Sequence, residues 1–229
     1  MTSILCIETS TDVCSVALTA GGAVVAAAEI REAQAHASRL APLIQEVMAA
    51  AGIGSGDLSA VAVSKGPGSY TGLRIGTSTA KGLCYALNIP LIGIGTLDLL
   101  AWQGITSTDV DRETLLCPMI DARRMEVYCQ VTDFSRKVVM PPSPVVVDES
   151  SFLELLNERS VLFLGNGAAK CREVIRHSNA NFLDDVVPLA SAMAPLAAEE
   201  FSAGRTENLV QFTPFYLKEF VAGRAGQSR

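Results

Sequence analysis

The sequence predicts an α/β protein built of two similar lobes in tandem, and three observations carry that expectation. Residues 65–95, KGPGSYTGLRIGTSTAKGLCYALNIPLIGIG, read as strand, glycine turn, helix and strand. A helical crossover between two strands makes a parallel pair. The residues before this unit read as an antiparallel meander with a Gly21-Gly22 hairpin signal. The half after residue 104 repeats the plan of meander, helix, strand and helix, without repeating its letters.

Taken in order, residues 4–8 form a buried strand, Thr9-Ser10-Thr11-Asp12 a polar turn, and residues 13–19 and 23–30 the next two strands. Residues 35–51 read as a helix. Leu40, Leu43, Ile44 and Val47 form its apolar face, and Ala37, Ala41 and Met48 extend that face nearly around the cylinder, so the helix is central or buried on two sides. After a loop at 52–59, the strand 60–64 feeds Gly66-Pro67-Gly68, where glycine permits φ > 0 and proline fixes φ. Ser69 or Thr71 caps the following helix, which runs to Leu87 or Asn88 and is stopped by Pro90. Gly72, Gly76 and Gly82 lie inside it, each costing roughly 1 kcal/mol relative to alanine. Gly72, Gly76, Ala80 and Cys84 make a small-residue stripe, suited to close packing on the chain's own sheet or on a helix of another chain.

A strand at 91–94 and a helix from Thr96 or Asp98 to Gln103 end the first lobe. Residues 104–113 are polar and irregular, which divides the chain into lobes 1–104 and 105–229, the second smaller and more divergent. Strands follow at 115–120 and 125–132, paired across Asp121-Ala122-Arg123-Arg124, then an extended proline-interrupted segment at 138–147. Ser150 or Ser151 caps a helix to Asn157, a strand spans 161–164, and Gly165-Asn166-Gly167 turns into a helix at 168–177. A helix over 191–203, an extended stretch at 213–218 and a loose tail at 223–229 complete the chain. Such a tandem is the ribonuclease-H-like architecture of actin and the sugar kinases.

At 229 residues, 49% of them hydrophobic and 18% charged, the chain can bury a substantial core and is not disordered. The apolar surplus also suits a surface partly covered by a partner. No apolar run approaches the roughly 18 residues of a membrane span, and MTSILCIETS has no basic region ahead of its apolar stretch, so it reads as a core strand. The six cysteines are scattered through apolar patterns without a CxxC pair, as reduced core residues of a cytoplasmic protein are. With His36 and His177 the only histidines, a three-histidine zinc site is impossible, and nothing has paired metal-ligand spacing. A net charge of −6 argues against a chain that grips nucleic acid alone.

Actin-like ATPases hold phosphate on the hairpin between their first two strands. The equivalent here is Glu8-Thr9-Ser10-Thr11, where Glu8 retains the capacity to hold a cation through water but Ser10 replaces a glycine whose amide closes on phosphate. Gly165-Asn166-Gly167 resembles the second phosphate turn, ahead of a predicted helix N-terminus. Glu8, Ser10, Thr11, Gly165 and Gly167 are therefore candidate vestigial nucleotide-binding residues, with a plain structural turn as the alternative at both places. Gly66-Pro67-Gly68 lacks the Gly-Lys-Ser/Thr ending of a Walker loop, and Arg74 and Lys81 read as solvated helix charges. Ser69 has no GxSxG context, His36 reads as a capping or interface residue, and Asp121 with Arg123-Arg124 reads as a charged turn. No catalytic constellation emerges.

ILCIETSTDVCSVAL, HASRLAPLI, KGPGSYTGLRIGTSTAKGLCYALNIPLIGIGTLDLLA and PFYLKEF resemble the TsaB (YeaZ) family, strongly over the first lobe and loosely over the second. The resemblance implies an actin-like (ASKHA) fold and a part in making N6-threonylcarbamoyladenosine beside the anticodon of tRNAs. That part is a non-catalytic scaffold or activator, pairing with the transferase TsaD and the ATPase TsaE. TsaD proteins carry a metal-binding His-x-x-x-His after the strand equivalent to 91–94, and those positions here are Thr96 and Leu100, which implies that the catalytic metal site is absent. The resemblance also implies no cofactor required by this chain, ATP or ADP at the partner complex, tRNA contact only through the complex, no membrane, and a homodimer when alone. It places association on the helices at 35–51 and 71–87, through His36, Arg39, Leu40, Leu43, Val47, Thr71, Gly72, Ile75, Gly76 and Ala80. The alternative is an independent enzyme of this fold, a glycoprotease-like peptidase or a small-molecule kinase. Thr96 and Leu100 disfavour the first, and Ser10 the second.

Overall fold

A computed structural model of the chain describes residues 2–32 and 34–218. The first lobe comprises β1 (Ser3–Glu8), β2 (Cys14–Ala20), β3 (Ala23–Ile30), α1 (His36–Ala51), β4 (Ala60–Gly66), α2 (Tyr70–Leu87), β5 (Leu91–Gly95) and α3 (Thr96–Ser107). The second follows as β6 (Leu115–Asp121), β7 (Glu126–Thr132), β8 (Val138–Val146), α4 (Leu153–Glu158), β9 (Val161–Leu164) and β10 (Ala180–Leu183), and α5 (Ala194–Ser202) ends the regular structure. The two sheets have one topology, β3-β2-β1-β4-β5 and β8-β7-β6-β9-β10. In each, the meander pairs are antiparallel and the crossover pairs parallel. The chain is thus an α/β protein of two ribonuclease-H-like lobes, and the duplication expected from the sequence is real at the level of topology.

β1 shows why its run of apolar residues is unbroken. Leu5 and Ile7 face α1 and α2 in one core cluster, while Ile4 and Cys6 face α3 and α5 in another. A strand covered on both faces needs apolar side chains at every position. Likewise α1 buries Leu40, Leu43, Ile44 and Val47 on that front face. Its Ala37 and Ala41 are exposed and Met48 is half-buried, so α1 is covered on one side only, a correction to the double burial expected from its composition.

The lobe boundary also differs from the expected 104/105. α3 runs on to Ser107, with Gly104 inside it because a Cβ there would stand 3.0 Å from Leu164 Cδ1 across the lobe interface. After β10 the chain returns to the first lobe: Ala190, Met193, Leu196 and Ala197 pack behind β1, and Ala190 N donates to the buried Ser15 Oγ at 2.9 Å. Each lobe's last helix therefore packs against both lobes or against the other one.

Three further expectations are corrected. The helix at 168–177 is only a 3-10 turn, Ala169–Cys171, followed by turns. Ala168, Cys171 and Ile175 are all drawn into the second core, and the backbone bonds from Ala168 to Val174 span three residues, with a single four-residue bond from Ile175 N to Cys171 O. β10 is a strand that the polar flanks of Phe182 concealed. Neither Ser150 nor Ser151 caps α4; the Asp148 carboxylate accepts from both hydroxyls, and α4 begins after Phe152 at φ 65°. The tail at 223–229 lies outside the described residues. Among the described residues no helix is long and apolar enough to cross a membrane.

α2 is capped by Ser69, whose Oγ accepts from Gly72 N, and ends at Asn88 with φ 54°. Its glycines divide into two kinds. A Cβ on Gly76 would lie 2.2 Å from Thr9 Oγ1, whereas one on Gly82 would meet nothing within 4 Å. Gly82→Ala should therefore stabilise the fold by up to about 1 kcal/mol, and Gly76→Ala should destabilise it by about 1–3 kcal/mol. Urea-unfolding midpoints of the two variants check both signs.

Candidate functional site

The site begins where β1 ends. Thr9 and Ser10 turn the chain directly over the first turns of α2, and Gly68, Gly72 and Gly76 form the surface they lie on. Side chains there would meet Ser10 O at 2.4 Å, Thr9 O at 2.1 Å and Thr9 Oγ1 at 2.2 Å. Thr9 Oγ1 donates to Gly72 O at 2.8 Å, and Ser69 N donates to Ser10 O at 2.7 Å. The helix glycines therefore serve the chain's own first turn.

Glu8, the last residue of β1, is wholly buried, and its Oε1 accepts from Ser10 N at 2.5 Å. The Ser10 amide is thus satisfied within the chain by the Glu8 carboxyl. Burial raises the Glu8 carboxyl from 4.5 to about 7, with the nearby Ser10 and Ser64 hydroxyls and the Ser10 amide pulling the other way without cancelling it. Glu8 Oε2 and Ser10 Oγ reach no hydrogen-bond partner among the described residues. Beside them, Ser64 Oγ and Thr96 Oγ1 are 2.7 Å apart.

Between the lobes this turn opens on a cleft of about 540 Å³. The first lobe lines it with Ser10, Thr11 and Asp12 and with Pro67–Thr71, the second with Ile120, Asp121, Arg123, Tyr128 and Asn166, and Phe215–Lys218 close one wall. Of the five expected nucleotide residues, Ser10 and Thr11 reach the cleft; Glu8 lies beneath it, and Asn166 rather than Gly165 or Gly167 faces it. The two glycines instead allow close backbone approach, with Cβ positions 2.4 Å from Met119 O and 2.9 Å from Ile120 C. Gly167 N is spent on Met119 O at 3.0 Å, and a three-residue 3-10 turn follows in place of the helix whose N-terminus was expected to attract an anion. Asp121 is held by Lys170 Nζ and by Arg123 N, both at 2.6 Å. The tyrosines of the cleft carry no spacing signal in the sequence, since Tyr70, Tyr128 and Tyr216 come from three distant elements.

The ten residues expected at a partner interface are divided by the structure. His36, Leu40, Leu43, Val47, Gly72, Gly76 and Ala80 are buried within the first lobe, because α1 and α2 spend that face on their own sheet. This corrects the choice of those seven as a surface for another chain. Arg39 and Thr71 are exposed and Ile75 is half-buried. On α2 an outward line runs Thr71, Ile75, Ser78, Gly82, Tyr85, spaced four, three, four and three, and Tyr85 is 82% exposed. Arg74 is bound to the Tyr70 hydroxyl at 2.8 Å, and Lys81 donates to Phe212 O at 3.0 Å rather than standing in solvent.

Thr96 and Leu100 are fully buried, the first bonded to Ser64 and the second packed with Leu97 and Ile120. Among the described residues no three His, Cys, Asp or Glu side chains converge on one point.

The buried carboxyl generates a pH prediction. Its pKa is higher in the folded chain than in the unfolded one, so the unfolded state loses its proton first as pH rises. Glu8 therefore contributes stability that is full below pH 4.5 and is lost by about pH 7, a change of roughly 3 kcal/mol at 1.36 kcal/mol per pH unit. Glu8→Gln should remove that slope, so that between pH 5 and pH 7 it loses less stability than the wild type does. Urea midpoints of both proteins across this range test it.

With this geometry in hand, comparison with known proteins is direct. A family model described as TsaD, tRNA N6-adenosine threonylcarbamoyltransferase, matches residues 30–224. The chain is 32% identical to the tRNA threonylcarbamoyladenosine biosynthesis protein TsaB of Escherichia coli over 96% of each chain. It is 33% identical to that of Bacillus subtilis over 76% of this chain and 75% of the other. The solved structure of YeaZ from Pseudomonas aeruginosa superimposes with a TM-score of 0.82 at 25% identity, covering 95% of this chain and 100% of that one. The chain belongs to the TsaB (YeaZ) family.

Proposed function

We propose that this chain is a non-catalytic scaffold and activator in the synthesis of N6-threonylcarbamoyladenosine on tRNA, acting in the cytoplasm as the partner of a TsaD-type transferase and a TsaE-type ATPase. The full-length relationship to TsaB proteins carries the reading. The Ser10 amide taken by Glu8 supports the absence of catalysis by the lone chain, because the first phosphate turn has no free donor at that point. ATP or ADP then acts at the partner complex. The net charge of −6 supports contact with tRNA through the complex rather than by this chain alone.

The surface offered to the partner is the outward side of α2, which packs beside α1 on the first sheet. Alternating steps of four and three residues make a seam that another helix can pack along, and Gly82 allows close approach where Tyr85 supplies an aromatic anchor. When TsaD is absent, a second copy of this chain uses the same seam. Mixing the chain with the TsaD of its own cell should give a one-to-one complex at the expense of the homodimer, read by size-exclusion chromatography with light scattering. Tyr85→Ala should weaken that complex by about tenfold or more and leave the unfolding midpoint unchanged, since Tyr85 is exposed. No association with or without nucleotide and TsaE, or nucleotide turnover by the lone chain, would overturn the reading.

A further inference from the structure

After α5 the chain runs back along the first lobe before it reaches the cleft. Glu207 N donates to Leu91 O at 2.8 Å, Phe212 is buried in the first core, and Lys81 Nζ holds Val210 O and Phe212 O at 3.3 and 3.0 Å. This part is anchored. The next part crosses the cleft. Phe215 N donates to Lys65 O at 2.6 Å, and Phe215 O lies 2.6 Å from where Gly66 would carry a Cβ. The Tyr216 ring sits 5.0 Å from that of Tyr70, and Lys218 pairs with Glu126 of β7 in the second lobe. Phe215 and Tyr216 are exposed on their outer sides while lining the cleft on the inner.

We propose that residues 213–218 form a strap across the interlobe cleft, hinged at Phe212 and latched to the second lobe by the Lys218–Glu126 pair, so that small molecules enter when the latch releases. The two halves are held differently. The hinge half rests on a buried aromatic ring and a lysine bonded to two carbonyls. Among the described residues the latch half rests on the single main-chain bond from Phe215 N to Lys65 O, a surface ion pair and the Tyr70–Tyr216 ring contact. It buries no side chain as Phe212 is buried, so it belongs to the low-stability end of the molecule's local openings. Opening by rotation of the lobes is resisted by a second cross-lobe contact: Arg136 bonds Glu199 at 2.7 Å and lies 5.7 Å from the centre of the Trp102 ring. Strap release breaks neither of those contacts.

Hydrogen exchange of single amides, read by NMR on the full chain, tests the hinge and the latch together. In Lys218→Glu the Phe215 amide should exchange up to about fivefold faster, and in Lys218→Arg at the wild-type rate, with the Phe212 amide unchanged in both. Raising salt from roughly 0.05 to 1 M should speed the Phe215 amide in the wild type and slow it in Lys218→Glu, because salt screens attraction in one and repulsion in the other. All six native cysteines are buried, so Ala122→Cys adds an accessible thiol on the cleft wall. A bulky fluorescent maleimide should label it faster in the Lys218→Glu background. Equal Phe215 rates in all three proteins, acceleration of Phe212 along with Phe215, or faster exchange without faster labelling would each refute the strap.

Discussion

The seating of the β1–β2 turn on the glycines of α2 is the contact on which the rest of the molecule depends. It needs three positions, Gly68, Gly72 and Gly76, that carry no side chain, since Cβ atoms would stand 2.1–2.4 Å from atoms of Thr9 and Ser10. It fixes how closely α2 lies on β1 and β4, and so where α1 can pack beside it. It also determines the fate of Glu8. With the turn pressed against the helix, the carboxyl has no route to solvent and takes the nearest amide, that of Ser10. A buried acid held in this way is neutral or costly, which couples the first turn to pH.

Duplication of the topology has not duplicated the helices that cover it. The first sheet is covered in front by helices of 16 and 18 residues. In the second lobe the corresponding places hold a six-residue helix and a three-residue 3-10 turn. Its core is instead closed by Phe163 between Phe152 and Phe182, whose ring centres lie 5.4 and 5.1 Å from it. Large aromatic side chains fill volume that longer helices fill in the first lobe. α5, which follows the last strand of the second sheet, packs behind the first. The two lobes thus share cores and do not meet as separate domains.

Most of the first lobe was legible in the sequence because each signal there is strong and local: apolar strands buried on both faces, a Gly-Gly hairpin, a capped helix ended by Asn88 and Pro90. The second lobe was less so. β10 has Asn181 and two aspartates beside its apolar residues, and the segment at 168–175 has helical composition but is pulled into a tighter turn by tertiary contacts. The row of small residues on α2 was visible, yet its partner was not. A glycine stripe signals close approach without saying what approaches, and the answer lay in Thr9, 63 residues before Gly72. The cleft was hidden for the same reason, since its walls come from residues near 10, 70, 121 and 216 and no periodicity links them.

The cleft and the outer face of α2 differ in how their polar and apolar groups are satisfied. The fold keeps two lobes of one topology and the cleft between them. At the two turns that bound the cleft, the amides are committed internally, Ser10 N to Glu8 and Gly167 N to Met119 O. Donors satisfied inside the chain gain little by exchanging those bonds for a ligand. The mouth of the cleft is crossed by the chain's own residues 215–218. By contrast, the outward line of α2 keeps an aromatic ring in solvent and a glycine with open space before it. Exposure of an aromatic ring to water is unfavourable, and covering it is favourable.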